Sequence, residues 1–359
     1  MAERKFHCQG CGARVALEPG AEALTCPYCS ASTPIPRSEE EVEERDLEEA
    51  LARGLGEAPT WTTAQVRCDG CGASTQVSAG VRADRCPFCD APLTVAPSPT
   101  QTLVPQALLP FGVDAKSAKK AFGDWLSSRW FAPGDLVRRA RREGMDGVYL
   151  PYFTFDAATE TFYRGQRGDA YYVERTITER DAEGNTVQRT IRERKIRWRS
   201  ASGTVFLTFD DVLILASRGL PEKLVRKLEP WDLPDLAPFD ERFLAGFRAE
   251  MAQMGLTEGF EGMKARCGPN IDREIRRDIG GDEQRVSSQR TAWSELSYKH
   301  VLLPVWISAF RYRDKVYRVV VNARTGEVQG ERPWSAWKIA GVVLLGLAIA
   351  AGIWWLTQR

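Results

Sequence analysis

The chain has 359 residues, 27% charged and 43% hydrophobic, the proportions of an ordinary globular protein of two or three domains. Its 49 Lys and Arg against 48 Asp and Glu leave a formal charge of +1, which argues against a dedicated nucleic-acid binder. The 10% aromatic content excludes a wholly disordered chain. With two histidines, His7 and His300, histidine-based catalysis has little to work with.

Eight of the nine cysteines fall in four C-x-x-C pairs: Cys8/Cys11, Cys26/Cys29, Cys68/Cys71 and Cys86/Cys89. The first residues, Met1-Ala-Glu-Arg-Lys-Phe-His-Cys, carry no apolar stretch and are not expected to form a signal peptide. Paired thiols in such a chain read as metal ligands in a reducing cytosol rather than as disulfides. Residues 6–35 repeat at 66–95, a shift of 60 positions, and both copies read C-x2-C-G-A…C-P-[YF]-C with 14 residues between the inner cysteines. Four thiolates suit tetrahedral Zn²⁺ and leave no position for water, so two structural zinc sites are expected, with iron in a rubredoxin-like site as the competing metal. Gly12 and Gly72 permit the tight turn after the second cysteine, and Pro27 and Pro87 stiffen the second knuckle of each copy. A ribbon of this size buries too little core to fold without its metal. With Zn²⁺ bound, both ribbons are net negative, a poor match to phosphate, so protein contact is the more natural role. Tyr28 and Phe88 are read either as contact residues or as small-core residues.

Between the ribbons, Glu39–Glu49 is acidic at eight of eleven positions and reads as a solvated linker or short helix. After the second ribbon, Ala96-Pro-Ser-Pro-Thr100 reads as a semi-rigid spacer. The expected divisions are ribbon 1 over 1–37, acidic linker over 38–60, ribbon 2 over 61–96, proline-rich linker over 97–110, an α+β domain over 111–333 and a membrane anchor over 334–359.

In the middle region Asp114 is expected to cap a helix carrying Ala118, Phe122, Trp125 and Leu126 on one face, stopping near Pro133-Gly134. Strands follow at Val148–Arg164, Tyr171–Thr178 and Val187–Trp198, with Asp181–Asn185 turning a hairpin between the last two. Helical spacing returns at Phe243, Phe247 and Met251 and again at Ile271, Ile275 and Ile279. Strands near Val301–Tyr312 and Lys315–Asn322 and the turn Asn322-Ala-Arg-Thr-Gly326 close the region. The similar segments Leu150-Pro-Tyr-Phe and Leu303-Pro-Val-Trp suggest a diverged internal duplication. Arg138, Arg139, Arg141 and Arg142 on a helix, and Arg192, Arg194, Lys195, Arg197 and Arg199 on a strand, are either lipid-headgroup contacts or cross-strand partners of Glu174, Glu179 and Glu193, the latter preferred. Cys267 reads as a buried apolar side chain and His300 as structural.

Ile339–Leu356 is an uninterrupted run of 18 residues without charge or proline, about 27 Å as a helix and close to the thickness of a bilayer core. Trp334 and Trp337 before it and Trp354 and Trp355 at its end suit the two interfaces, and Lys338 and Arg359 can snorkel outward. A single-pass tail anchor with a cytosolic body is the expectation. Gly346/Ala350 and Ala348/Gly352 would let two such helices pair.

The expected fold is therefore multidomain: two four-cysteine zinc ribbons, an α+β domain with antiparallel strands and one C-terminal transmembrane helix. The paired ribbons, the Leu303-Pro-Val-Trp…Tyr317…Asn322-Ala-Arg-Thr-Gly326-Glu-Val…Gly330 ending and the tail helix resemble a bacterial family of membrane-anchored double zinc-ribbon proteins. Its members are often labelled transcription-factor-B-type zinc ribbons or relatives of the primosomal helicase. The helicase label finds no support, because no phosphate loop is present; a G-x-S-x-G elbow and an H-E-x-x-H helix are also absent from the sequence. The resemblance implies a scaffold at the inner membrane whose partners are SPFH-domain or phage-shock-type proteins of the envelope stress response. The reading is thus a non-enzymatic adaptor with Cys8, Cys11, Cys26, Cys29, Cys68, Cys71, Cys86 and Cys89 as metal ligands. The alternatives are a membrane-tethered nucleic-acid-binding regulator and an unrecognised enzyme in the middle domain.

Overall fold

The computed structural model describes residues 6–35, 42–53, 60–76, 83–94, 98–133, 144–180, 186–312 and 315–358. An antiparallel sheet dominates it. Three strands are very long: β1 (Asp146–Arg180, 35 residues), β2 (Thr186–Leu215, 30 residues) and β3 (Glu283–Tyr312, 30 residues). With β4 (Lys315–Asn322) and β5 (Val328–Gly330) they run in the order β2-β1-β3-β4-β5. The separate strands read from the sequence at 148–164 and 171–178 are one element, β1. The hairpin expected between 178 and 187 is present, while its turn at 181–185 lies outside the described residues, as do Arg138, Arg139, Arg141 and Arg142.

Strands this long cannot stay flat, and bulges bend these. The register shifts between Phe155 and Ala157 against β2, and between Asp156 and Ala158 against β3. The left-handed residues Asp211 (φ 48°) and Glu295 (φ 51°) lie at the same level. Before the bulges the two Leu-Pro segments meet in antiparallel register, Leu150 opposite Leu303 and Pro151 opposite Leu302.

Helix α1 (Leu47–Arg53) lies in the acidic stretch, α2 (Ala115–Ser127) follows the second ribbon, and α3 (Leu256–Ile279) covers one face of the long strands. The Asp114 carboxylate accepts Ser117 N–H at 2.7 Å, the expected N-cap, and α2 buries Ala118, Phe122 and Leu126. Met263, Cys267, Ile271, Ile275 and Ile279 line the buried stripe of α3 at helical spacing. Phe243, Phe247 and Met251 do not form a helix. Glu241–Leu244 is a 3₁₀ turn and Arg248–Ala249 a short strand parallel to β1. Tertiary packing wins there, with Phe247 stacked on Phe111 at 3.9 Å between ring centroids.

The acidic stretch ends in the short helix that was one of its two readings, but neither linker stands free of the body as a spacer would. Arg45–Asp46 pairs with Ser297–Tyr298, Leu47 is fully buried, and the Lys299 ammonium lies 2.9 Å from Glu44 and 3.0 Å from Asp211. Ser98–Leu103 pairs with Thr60–Gln65, and Ala107–Leu108 runs parallel to Val301–Leu302 with both residues fully buried. Burying Leu47 and Leu108 takes their backbone out of water as well, and pairing each joint with the sheet supplies the hydrogen bonds lost there.

The turn after β4 follows the Asn-x-x-Thr-Gly pattern closely. The buried Asn322 side-chain oxygen accepts N–H from Arg324 (2.8 Å) and Thr325 (3.2 Å), and Gly326 takes φ 79°. The chain then enters α4 (Ala336–Thr357), a 22-residue apolar helix long enough to cross a membrane and buried nowhere against the protein.

Candidate metal centres

Four knuckles of one design build two thiol clusters. In each, the N–H of the residue after the second cysteine returns to the first cysteine's carbonyl: Gly12 to Cys8 (2.8 Å), Ser30 to Cys26 (3.0 Å), Gly72 to Cys68 (2.7 Å) and Asp90 to Cys86 (2.9 Å). All four of these residues are left-handed, at φ 74°, 59°, 78° and 57°. The glycines were legible in the sequence; Ser30 and Asp90 were not. The available signal was an alanine two residues after every second cysteine, Ala13, Ala31, Ala73 and Ala91, whose carbonyl accepts the first cysteine's N–H in each knuckle. Asp90 tolerates its strained backbone beside Arg85, whose guanidinium holds its carboxylate at 2.7 Å.

The hairpin Ala23–Thr25/Ser32–Pro34 carries the second knuckle of ribbon 1, and Ala83–Arg85/Pro92–Thr94 that of ribbon 2. Cys8, Cys11, Cys26 and Cys29 form one quartet and Cys68, Cys71, Cys86 and Cys89 the other, the sulfurs of each lying within 4.8 Å of one another. The eight sequence-predicted ligands are thus brought together four by four, while Cys267 stands apart, buried in α3, its thiol pushed up to about 11 by burial. The close pairs are Cys8–Cys29 at 3.4 Å, Cys11–Cys26 at 3.5 Å, Cys68–Cys89 at 3.5 Å and Cys71–Cys86 at 3.6 Å. A disulfide would need about 2.05 Å, whereas sulfurs about 2.3 Å from a tetrahedral zinc stand about 3.8 Å apart. The donor set fits a divalent metal such as zinc.

Backbone amides prepare the sulfurs for charge. The N–H groups of Cys29 and Tyr28 bring the Cys26 thiol down to about 6, and that of Cys11 lowers Cys8. In ribbon 2 the Cys86 thiol lowers Cys71 to about 5, while Cys86 itself is pushed far up by Cys71 and by burial. A cation entering either cluster therefore displaces protons from the high sulfurs.

The ribbons do not stand away from the body. Leu17 N–H donates to Ala245 C=O at 2.9 Å and Gly20 N–H to Phe111 C=O at 2.8 Å, and Val15, Leu17, Leu24 and Ile35 join a core with Tyr149, Phe243 and Leu244. In ribbon 2, Val66, Ala73, Phe88 and Leu93 share a core with Leu220, Leu224, Val225 and Leu303, and the Arg318 guanidinium donates to Phe88 C=O at 2.7 Å. The two ribbons differ in exposure. Cys11, Cys29 and Tyr28 of ribbon 1 are exposed, Tyr28 by 80%, whereas Cys68, Cys86, Phe88 and Cys89 of ribbon 2 are buried. Sequence reasoning also missed Glu250, fully buried beneath ribbon 2, where it bridges Thr75 and its carboxyl is pushed up to about 8 by burial.

Four of the five basic residues singled out on β2 find partners within the sheet. Arg192 lies 3.6 Å from Glu174 directly across the strand pair, Arg194 2.8 Å from Glu283 and Lys195 3.7 Å from Glu193, while Arg197 covers the Tyr171 ring at 5.2 Å. His300 is buried against Phe153, with ring centroids 5.2 Å apart.

No protein-family model matches the chain, and no solved structure matches it. It is similar to an uncharacterized protein, YdjG, of Bacillus subtilis (strain 168), with 26% identity over 239 residues. The match spans 66% of this chain and 66% of the relative, just under two thirds of its length. The chain thus combines two four-cysteine clusters that can hold a metal ion, an antiparallel α+β body and one C-terminal helix long and apolar enough to cross a membrane.

Proposed function

We propose that the protein is a non-enzymatic adaptor, held at the cytosolic face of a membrane by α4, that offers ribbon 1 to a protein partner. The observation that carries the reading is the unequal exposure of two chemically matched ribbons. Ribbon 2 is spent on the body's own core. Ribbon 1 buries one side on the body and leaves the other, with Tyr28, Cys11 and Cys29, in solvent. A metal-stiffened knuckle carrying one exposed aromatic ring is a pre-organised contact with little conformational entropy to lose on binding. Partners of the SPFH or phage-shock type are what the family resemblance supplies.

The test compares full-length wild type with Tyr28→Asp, both recovered from detergent-solubilised membranes with their metal content measured. Phe88 and Cys86 are unsuitable positions, because changing them disturbs the shared core. A membrane protein that co-purifies with the wild type and is lost from a variant still holding two metals is the expected result. Identical co-purifying sets from the two samples would sink the ribbon-1 reading.

A further inference from the structure

The body meets α4 through a short turn between α2 and β1. Ser335 N–H donates to Phe131 C=O at 2.8 Å, and the Lys338 ammonium donates to the carbonyls of Trp130 at 2.9 Å and Ala132 at 2.8 Å. Lys338 was expected to snorkel towards water; instead it is committed to this turn. The Phe131 ring lies 5.3 Å from Trp130 and 6.1 Å from Trp334, and the Arg332 guanidinium covers Trp334 at 4.6 Å. Around this joint Trp130 is 70% exposed, Trp334 60% and Trp337 88%. Three tryptophans in water at one level are costly to leave exposed, and nothing in the protein covers them among the described residues.

We propose that the turn carrying Trp130 and Phe131 is a second, non-spanning membrane contact, seated at the headgroup–acyl boundary of the bilayer that α4 crosses. The inference rests on the reading of α4 as a spanning helix and adds that the body itself lies on the lipid. The argument is one of level. Lys338 immediately precedes Ile339, where the apolar run begins, and a helix rises about 1.5 Å per residue. Carbonyls hydrogen-bonded to the Lys338 ammonium therefore stand within one lysine side chain of the hydrocarbon edge. Trp130, exposed on that turn, is placed where an indole is most favourable, its ring towards the acyl chains and its N–H towards water. Arg332 and Lys338 add the cationic rim that an anionic leaflet favours. Trp334, just before the N-cap of α4, and Trp337, in its first turn, complete an aromatic collar drawn from two separate parts of the chain. Two fixed contacts, a spanning helix and an interfacial turn, set the tilt of the body where the helix alone would leave it free to swivel.

The experiment is fluorine NMR of the full-length chain, labelled with fluorotryptophan, in nanodiscs of phosphatidylcholine and phosphatidylglycerol carrying a nitroxide just below the headgroup. The Trp130 line is assigned by its loss in Trp130→Phe, a change at an exposed ring that keeps an apolar side chain. The expected result is loss of the Trp130 and Trp337 lines to paramagnetic broadening, with the Trp198 and Trp293 lines of the long strands unchanged. A Trp130 line that persists while Trp354 and Trp355 are broadened would leave the anchor standing and overturn this contact. Persistence of all of them would overturn the spanning helix and the contact together.

Discussion

Tyr28 and Phe88 occupy the same place in two copies of one repeat, yet Tyr28 is 80% exposed and Phe88 is fully buried. The sequence shows two aromatic rings in matched frames; what separates them is what the body offers each knuckle. Phe88 is met by Gly219, whose missing side chain leaves the room, and by residues of the core around Leu220 and Val225, all more than a hundred positions away. Phe88→Ala should therefore cost about 3–5 kcal/mol of stability, and Tyr28→Ala no more than about 0.5 kcal/mol, read as shifts in thermal unfolding of the detergent-solubilised chain. Comparable losses at both positions would contradict the asymmetry. His300 carries a second prediction. Burial lowers its imidazole to about 4 from an ordinary 6.5, so the folded state holds fewer protons than the unfolded one between those values. Its neutral form contributes stability that is complete above pH 6.5 and is lost as the pH falls towards 4. Between pH 7 and pH 5 this amounts to about 2 kcal/mol, at 1.36 kcal/mol per unit. His300→Phe should flatten that part of the acid-unfolding profile, and a profile unchanged by the substitution would refute the assignment.

At the scale of elements, the cysteine knuckles were the most legible part of the chain, because four thiols at fixed spacing have few other uses. The buried stripe of α3 and the Asp114 cap of α2 were legible for a similar reason, since helix period and capping chemistry are local. The misreading at Phe243, Phe247 and Met251 shows the limit. Of three apolar residues at helical spacing, Phe243 falls in a 3₁₀ turn while Phe247 and Met251 flank a short parallel strand, and Phe111 and Tyr149 fix where the Phe247 ring must lie. Docking of the ribbons was equally hidden, for their apolar residues do not declare whether they face a ribbon's own interior or another element. Its consequence can be measured as metal release. Cys11 and Cys29 are exposed, whereas in ribbon 2 Cys71 alone is partly open and Cys68, Cys86 and Cys89 are buried. Titration with an organomercurial, followed with a zinc-sensitive dye, should release two metals per chain in two phases, ribbon 1 first. Cys11→Ser/Cys29→Ser should remove the fast phase and leave the slow one. A single phase, or loss of the slow phase, would reverse the order of the ribbons.

For the whole molecule, the long sheet has two unlike ends. The end bearing α2, β4 and β5 holds the ribbons' docking surfaces and leads into α4. At the other end the pairing of β1 with β3 stops at Gly168 opposite Glu283, and α3 ends at Ile279. Beyond that point Asp169–Arg180 and Thr186–Arg197 continue as a two-stranded arm, about 40 Å long at 3.4 Å per residue. None of the described side chains between 169 and 178, or opposite them between 188 and 197, is buried. A two-stranded ribbon with no packed face is marginal in water, and exposed pairs such as Arg192–Glu174 add at most about 1 kcal/mol each. The arm therefore owes its order to the three-stranded sheet it grows from and returns little stability to it. Ala170 and Ile196 are directly paired, so residues 171–195 can be replaced by an Asn-Gly turn without altering the register below. The shortened chain should keep both metals and unfold cooperatively within about 2 °C of the wild type, less than about 1 kcal/mol for a body of this size. In the intact chain, hydrogen exchange should run fastest between 170 and 196 and slow abruptly below Gly168, where the third strand and α3 begin to cover β1. A large fall in the unfolding midpoint on shortening, or strong protection along the arm, would mean that the arm is packed on something, and its two open edges would then be the surface to search for a second copy of the chain.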